Sequence, residues 1–247
     1  MEIENLSLAE IVTSKPEAAA LLESYNLDFC CRGKQKLSEA LENDAAKLQE
    51  VSGRLEKLFK TTATAETDFN KFSLTQLVDY ILNTHHRYVK ETIPVIQQHL
   101  AKVSLKHGEV HPEMKKIELL FDVVKRDFEQ HMMKEEIILF PRIKKLELAF
   151  SEGNLKEENF DVQQPIHVME LEHDIAGSMM EEIKKLSESY TPPSTACTTY
   201  RVCLEELKQF EKDLHRHVHL ENNILFPKAL ELQNNLNQSS CSCSCSL

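Results

Sequence analysis

The sequence predicts an all-α fold, namely an antiparallel up-down four-helix bundle preceded by a small N-terminal helical domain. The 247-residue chain has 41% hydrophobic residues, only five glycines and no tryptophan, and this composition favours long helices. Apolar residues recur at helical intervals in four long segments of the chain. The pattern H-x3-E-x2-I-L-F-P occurs twice, at 131–141 and at 217–227, which indicates a duplicated helical hairpin.

Shifts in composition divide the chain into four parts. Residues 1–60 carry apolar residues at helical spacing and predict the small helical domain, which contains a vicinal cysteine pair. The polar stretch 61–71 has no apolar periodicity and predicts a linker. The bundle is expected at 72–233, and the polar Cys/Ser tail at 234–247 is expected to be disordered.

The four predicted bundle helices are separated by connections rich in glycine, proline and asparagine. They cover approximately 73–104, 112–148, 162–189 and 195–232. Pro141 and Pro227 lie inside two of these segments, where proline is expected to bend or tighten a helix.

One histidine in each segment is evenly spaced from the next. His86, His131, His173 and His217 are separated by 45, 42 and 44 residues. Because a helix rises 1.5 Å per residue, a chain that passes a site, turns and returns regains the same height after roughly 40 to 45 residues. All four imidazoles are therefore expected at one level of the bundle.

Two glutamates complete a metal-ligand pattern. Glu135 follows His131 by four residues and Glu221 follows His217 by four, so each His–Glu pair lies on one helix face. Two imidazoles for each of two metal ions, with both carboxylates bridging, predict a dinuclear site. A ligand set without thiolate favours iron or manganese over structural zinc, and two iron ions joined by an oxo or hydroxo bridge are expected.

The remaining histidines are predicted to lie outside this site. Helical periodicity alone would choose His85 rather than His86 as the first ligand, so that choice stays open at this point. His215 and His219 are rotated away from His217 and are expected to be solvated. Four further histidines have no paired ligand spacing and are expected at the surface: His99, His107, His111 and His167.

Composition also excludes several classes of partner and location. A formal net charge of −11, with no basic stripe, argues against nucleic acid or an anionic membrane as the main partner. No signal peptide and no span of 18 or more apolar residues is evident, so a cytoplasmic protein with reduced thiols is expected. Cys197 and Cys203 are interpreted as structural. The vicinal pair Cys30 and Cys31 is interpreted either as buried at a helix end or as active in docking or in handling iron or NO.

Five separated motifs are similar to those of one family. They are D-F-C-C-x-G at 28–33, H-M-M-K-E-E at 131–136, V-M-E-x-E-H-D-x-A-G at 168–177, P-P-x-x-A-C-T-T at 192–199 and L-E-N-N-x-L-F-P at 220–227. The chain thereby resembles the hemerythrin-like iron-sulfur cluster repair di-iron proteins, also called repair of iron centres proteins. The resemblance covers nearly the whole chain.

The resemblance implies a ligand set and a function. The family pattern H-x3-[RK]-E-x-[LI]-P fits from His86, which favours His86 over His85. It implies repair of iron-sulfur clusters damaged by oxidative or nitrosative stress. A solvent-accessible site of neutral imidazoles holds ferrous iron less firmly than a thiolate cage does, so donation of iron is the first hypothesis. The alternatives are a di-iron enzyme that reduces NO to N2O and a non-catalytic carrier or sensor of O2 or NO. Damaged iron-sulfur proteins and these gases are the implied partners, and family habit suggests a homodimer.

Overall fold

The computed structural model describes residues 3–60, 68–152 and 161–242, and for residues 238–242 it describes the backbone only. Every regular element in these ranges is helical, which confirms the predicted all-α fold. None of the described helices combines the length and the apolar character that crossing a membrane requires.

The N-terminal unit, as far as the structure describes it, contains a short 3-10 helix at Ile3–Asn5 and four α-helices. The α-helices are α1 (Leu8–Ser14), α2 (Ala18–Ser24), α3 (Leu37–Ala40) and α4 (Ala45–Lys60). A capping box starts α1, in which the Ser7 hydroxyl accepts from the Glu10 amide while the Glu10 carboxylate accepts from the Ser7 amide. Reciprocal capping fixes the point at which the first α-helix begins.

The bundle consists of four long helices, three of which contain one π turn. The first comprises α5 (Leu74–Ile81), the turn Leu82–His86 and α6 (Arg87–His107). The second comprises α7 (Glu113–Lys134), the turn Glu135–Leu139 and α8 (Phe140–Glu152). The third is α9 (Gln163–Leu186), and the fourth comprises α10 (Thr198–Leu220), the turn Glu221–Leu225 and α11 (Phe226–Ser242).

Neighbours in the chain are neighbours in space, as in an up-down bundle. Helix α6 packs against α7 and α10, and α7 packs against α9. Four helices in this cyclic order enclose a central seam along which inward-facing side chains meet.

The two ends of the bundle region contain the predicted linker and the predicted tail. Helix α11 continues to Ser242, past residue 234 where the tail was expected to begin, and Leu236 on its apolar face is buried. Residues 243–247 lie outside the described residues, as do residues 61–67 of the predicted linker. The remainder of that linker includes a short 3-10 helix at Phe69–Lys71, and Lys228 Nζ donates to the carbonyls of Asn70 and Phe72 on either side of Lys71.

The π turns were not predicted from the sequence. In the second and fourth bundle helices the turn comes directly before Phe-Pro, and the Phe140 and Phe226 amides reach back five residues to the carbonyls of Glu135 and Glu221. The next residue in each case is a proline, which has no N–H and donates no helical hydrogen bond. Such wide turns occur frequently at functional sites.

Apolar side chains form two clusters along the bundle. The first joins the N-terminal unit to one half of the bundle and includes Ile11, Phe29 and Phe210. The second fills the other half and includes Leu77 and Leu225. The four evenly spaced histidines lie between the two clusters, so a buried polar layer crosses the bundle at mid-height.

Candidate metal centre

Six side chains from the four bundle helices meet in this polar layer, and each is at most 2% exposed. They are the six residues that the sequence predicts as ligands: His86, His131, Glu135, His173, His217 and Glu221. They form two overlapping groups that share both glutamates, and the ligand atoms within each group lie within 4.8 Å of one another. Position A denotes the group with His86 and His217, and position B the group with His131 and His173.

Each glutamate presents one oxygen to each position. Glu135 Oε2 lies 3.3 Å from His86 Nε2, and its Oε1 lies 3.4 Å from His131 Nε2. Glu221 Oε1 lies 3.0 Å from His217 Nε2, and its Oε2 lies 3.2 Å from His173 Nε2. Both carboxylates thus have the orientation required of ligands that bridge two ions.

Unpaired buried atoms make these residues a suitable set for metal ions. Among the residues that the structure describes, four buried atoms have no hydrogen-bond partner despite the short distances between them: His86 Nε2, Glu135 Oε1, Glu135 Oε2 and Glu221 Oε2. Buried polar groups normally have hydrogen-bond partners, so four such atoms facing one another fit a centre in which the missing partner is a cation. Imidazole nitrogen and carboxylate oxygen are donors that iron accepts.

Buried charge shifts the pKa values of these ligands. Burial alone would raise the pKa of the Glu221 carboxyl, but His217 and His173 beside it hold that pKa well below its usual range. Burial likewise opposes protonation of His131, yet the charges of Glu135 and Glu221 and the hydrogen bonds to Glu135 and Glu172 together outweigh it and raise the pKa of His131 to about 9. The carboxylates are therefore held ionised in the interior, where a cation compensates their charge most effectively.

A second set of residues binds the outer nitrogens of three imidazoles. His86 Nδ1 lies 2.8 Å from Glu136 Oε1, His131 Nδ1 lies 3.0 Å from Glu172 Oε2, and His173 Nδ1 lies 2.9 Å from Asn222 Oδ1. Such partners fix the tautomer and the orientation of a metal-binding histidine. Glu136, Glu172 and Asn222 were not predicted from the sequence, although Glu136 and Asn222 directly follow the two glutamates of the duplicated motif.

Both carboxylates of this set, Glu136 and Glu172, are themselves paired with lysines. Lys90 Nζ lies 2.6 Å from Glu136, and Lys134 binds Glu172. These lysines and the two imidazoles hold the pKa of each carboxyl below its usual range against the opposing effect of partial burial. Both acceptors therefore stay ionised.

His85 lies beside the centre but is not one of the six grouped residues. It is 4% exposed, its Nδ1 lies 2.9 Å from Asp213 Oδ1, and its ring stacks on His217 with centroids 5.4 Å apart and planes 4° apart. Burial explains why hydrophobic periodicity alone favoured His85 over His86, since both side chains are buried in the bundle. Of these two histidines, only His86 lies close to a carboxylate of the centre, with its Nε2 3.3 Å from Glu135 Oε2.

The expectation that His215 and His219 are solvated is wrong for His219 and only partly right for His215. His219 is 4% exposed and packs edge-on against Phe29, and burial lowers its pKa to about 4. His215 is half-buried against the same ring and lies 3.3 Å from Glu23. Both histidines point away from the polar layer, as expected, but the N-terminal unit covers that face of the fourth bundle helix.

The vicinal cysteines are held in a turn against the bundle. Asp28 Oδ1 accepts from the amides of Cys30 and Cys31, and the two sulfur atoms lie 3.8 Å apart as free thiols. Asn223 Nδ2 donates to the carbonyls of Phe29 and Cys30, at 3.3 and 3.1 Å. The cysteine turn thus contacts the π turn that begins at Glu221.

The other cysteines and histidines lie away from the centre. Cys203 is fully buried, whereas Cys197 is half-buried with its sulfur 3.2 Å from His107 Nε2. Of the four histidines expected at the surface, only His167 is exposed, and the remaining three are half-buried beside polar partners: His99, His107 and His111.

Comparison with known proteins gives two family matches and several close relatives. Residues 77–229 match the hemerythrin HHE cation binding domain, and residues 4–59 match a domain of unknown function (DUF542). The chain is 34% identical over 230 residues to the iron-sulfur cluster repair protein YtfE of Yersinia pseudotuberculosis, which covers 93% of this chain and 99% of the relative. It is 35% identical to the protein of that name from Cronobacter sakazakii, with 93% and 98% covered, and 34% identical to that from Shigella boydii, with 90% and 96% covered.

Proposed function

Because this chain belongs to the iron-sulfur cluster repair family with a hemerythrin HHE cation binding domain, we propose that it holds two iron ions and donates iron to damaged iron-sulfur clusters. In this proposal His86 and His217 bind one ion, and His131 and His173 bind the other. Glu135 and Glu221 bridge the two. The observation that carries the proposal is the orientation of each carboxylate, with one oxygen toward each pair of imidazoles.

The chemistry of the ligands supports donation rather than permanent retention. Neutral imidazoles and carboxylates bind ferrous iron less firmly than a thiolate cage does, so an iron-deficient cluster with free thiolates is a competent acceptor. Iron bound at this centre supplies redox-active Lewis-acid chemistry while it remains there. Transfer of Fe²⁺ itself changes no oxidation state, and each ion released would free two imidazole nitrogens and one oxygen of each glutamate.

Burial sets a condition on this transfer. A solvent-accessible site was expected from the sequence, but all six candidate ligands are at most 2% exposed. Iron therefore leaves only when part of the polar layer opens. Near the centre, the cysteine turn and the π turn with Glu221 are joined through Asn223, so their separation is one such opening.

An isotope experiment tests the proposal. The full chain is loaded with ⁵⁷Fe, its iron content is measured, and it is mixed with an iron-sulfur enzyme whose cluster has been damaged by NO. We expect close to two irons per chain, recovery of the client's activity, and ⁵⁷Fe in the restored cluster by Mössbauer spectroscopy. The variant Glu135→Ala/Glu221→Ala should lose both the iron and the repair.

Exposed glutamates on the same two helices provide the control. Glu129→Ala/Glu231→Ala also removes two carboxylates, but at exposed positions, so this variant should bind iron and repair the client like the wild type. Repair without label in the client cluster, or equal repair by both double variants, would contradict donation. Sustained production of N2O from NO without loss of iron would instead assign catalysis to the centre.

A further inference from the structure

The residues that surround the six candidate ligands follow the duplication of the chain. Glu136 and Asn222 are 86 residues apart, the same offset as between the two copies of H-x3-E-x2-I-L-F-P. Glu136 accepts from His86 Nδ1, and Asn222 makes the equivalent contact with His173 Nδ1. The two halves of the bundle are therefore alike at these positions, with an oxygen acceptor in each.

The remaining pair of equivalent residues, His85 and Glu172, breaks this symmetry. Glu172 accepts from His131 Nδ1, and the residue at the equivalent place in the first half, 87 residues earlier, is His85. His85 stacks on His217 and directs its own Nδ1 to Asp213. Among the described residues, His217 Nδ1 is buried and has no hydrogen-bond partner.

A missing acceptor at this atom affects metal binding directly. A neutral imidazole that binds a metal through Nε2 carries its proton on Nδ1, and an oxygen acceptor there orients the ring and makes it a stronger donor. Loss of such a partner typically lowers metal affinity 10- to 100-fold. Position B has two acceptors, on Glu172 and Asn222, whereas position A has only Glu136.

We propose that the two metal positions are unequal, and that the ion held by His86 and His217 at position A is the one released first. His85 is the residue that sets this inequality, because it occupies the place of an acceptor without acting as one. In this role His85 is a positioning residue that acts through His217. The inequality deepens the proposed function, because it states which of the two ions is donated. This assignment of the donated ion rests on the proposed iron donation.

The test measures iron release from the intact, iron-loaded chain to a ferrous chelator in excess, without any client enzyme. Two phases of one iron each are expected, with rates that differ on the order of 10- to 100-fold. In His85→Gln the side-chain oxygen accepts from His217 Nδ1 while the amide nitrogen donates to Asp213, so the fast phase should slow toward the slow one. His167→Gln makes the same change at an exposed position and should leave both phases unaltered.

A second variant keeps the proposal open to refutation if His85→Gln does not fold. Asn222→Leu removes an acceptor from position B, so it should accelerate the slow phase and leave the fast phase unchanged. Release of both irons at one rate by the wild type, or acceleration of only the fast phase in Asn222→Leu, would overturn the inequality. Two phases together with no label in the client cluster would leave the inequality standing and reject donation.

Discussion

We expect that replacing Asn223 with leucine releases the turn with Cys30 and Cys31 from the bundle. The Asn223 amide donates to the carbonyls of Cys30 and Phe29, at 3.1 and 3.3 Å, and leucine fills similar space without a donor. Each such bond contributes about 1 kcal/mol, and a buried acceptor left without a partner costs about 1–3 kcal/mol. We therefore expect docking to weaken by about 2–3 kcal/mol, which raises the population of the undocked turn roughly 30- to 150-fold.

The thiol of Cys30 reports this opening. It is buried, and its hydrogen bond with Cys31, its burial and the nearby charges raise its pKa well above the usual value, so a thiol reagent reacts slowly with the docked turn. When opening is fast compared with labelling, the rate of Cys30 modification follows the open population, and peptide mass spectrometry measures it residue by residue.

An asparagine in another π turn gives the matched control. Asn83 is exposed, and its amide donates to the Asp79 carbonyl within the same helix, so Asn83→Leu should not change the reactivity of Cys30. The reasoning is refuted if Asn223→Leu is folded, retains its iron and labels at Cys30 no faster than Asn83→Leu.

Three further results are expected. Gly53→Ala should raise the free energy of unfolding by about 0.5–1 kcal/mol, because a Cβ at this helical residue meets nothing within 4 Å. Gly33→Ala should lower the free energy of unfolding, because a Cβ there would lie 2.6 Å from the Phe29 carbonyl oxygen. Urea denaturation measures both changes. Phe210→Ala should lower the free energy of unfolding by about 3–5 kcal/mol in the same assay, because the Phe210 ring is fully buried. Phe150→Ala should lower it far less, because the Phe150 ring is 50% exposed. Burial raises the pKa of Cys203 to about 12, so iodoacetamide at mildly alkaline pH should leave it unmodified in the native protein, and rapid alkylation seen by mass spectrometry would contradict this.

The arrangement of helices was predictable because it follows from spacing within the chain. Even intervals between His86, His131, His173 and His217 require helices that return to one height, and the structure has that order. The pairing of His131 with Glu135 likewise depends only on the 3.6-residue period of one helix. Features that depend on a single helix or on the length of a hairpin were therefore visible in the sequence.

Features that depend on contact between distant elements could not be predicted from the sequence. His219 was expected in solvent because periodicity describes how a helix faces its own bundle and gives no account of a separate unit that covers the outer face. The helical continuation through Leu236 depends on packing against the second apolar cluster, which composition does not reveal. The partner of His131 is Glu172, 41 residues away, and only the fold brings them together.

The repeated hairpin has a consequence for how this centre arose. A single hairpin supplies half of the ligands, so two copies related by a twofold axis would assemble the complete dinuclear centre with identical surroundings for both ions. In such a symmetric ancestor every change on one side appears on the other. Fusion into one chain removes that constraint and lets residue 85 and residue 172 differ, here as histidine and glutamate, so that the two proposed metal positions have different surroundings.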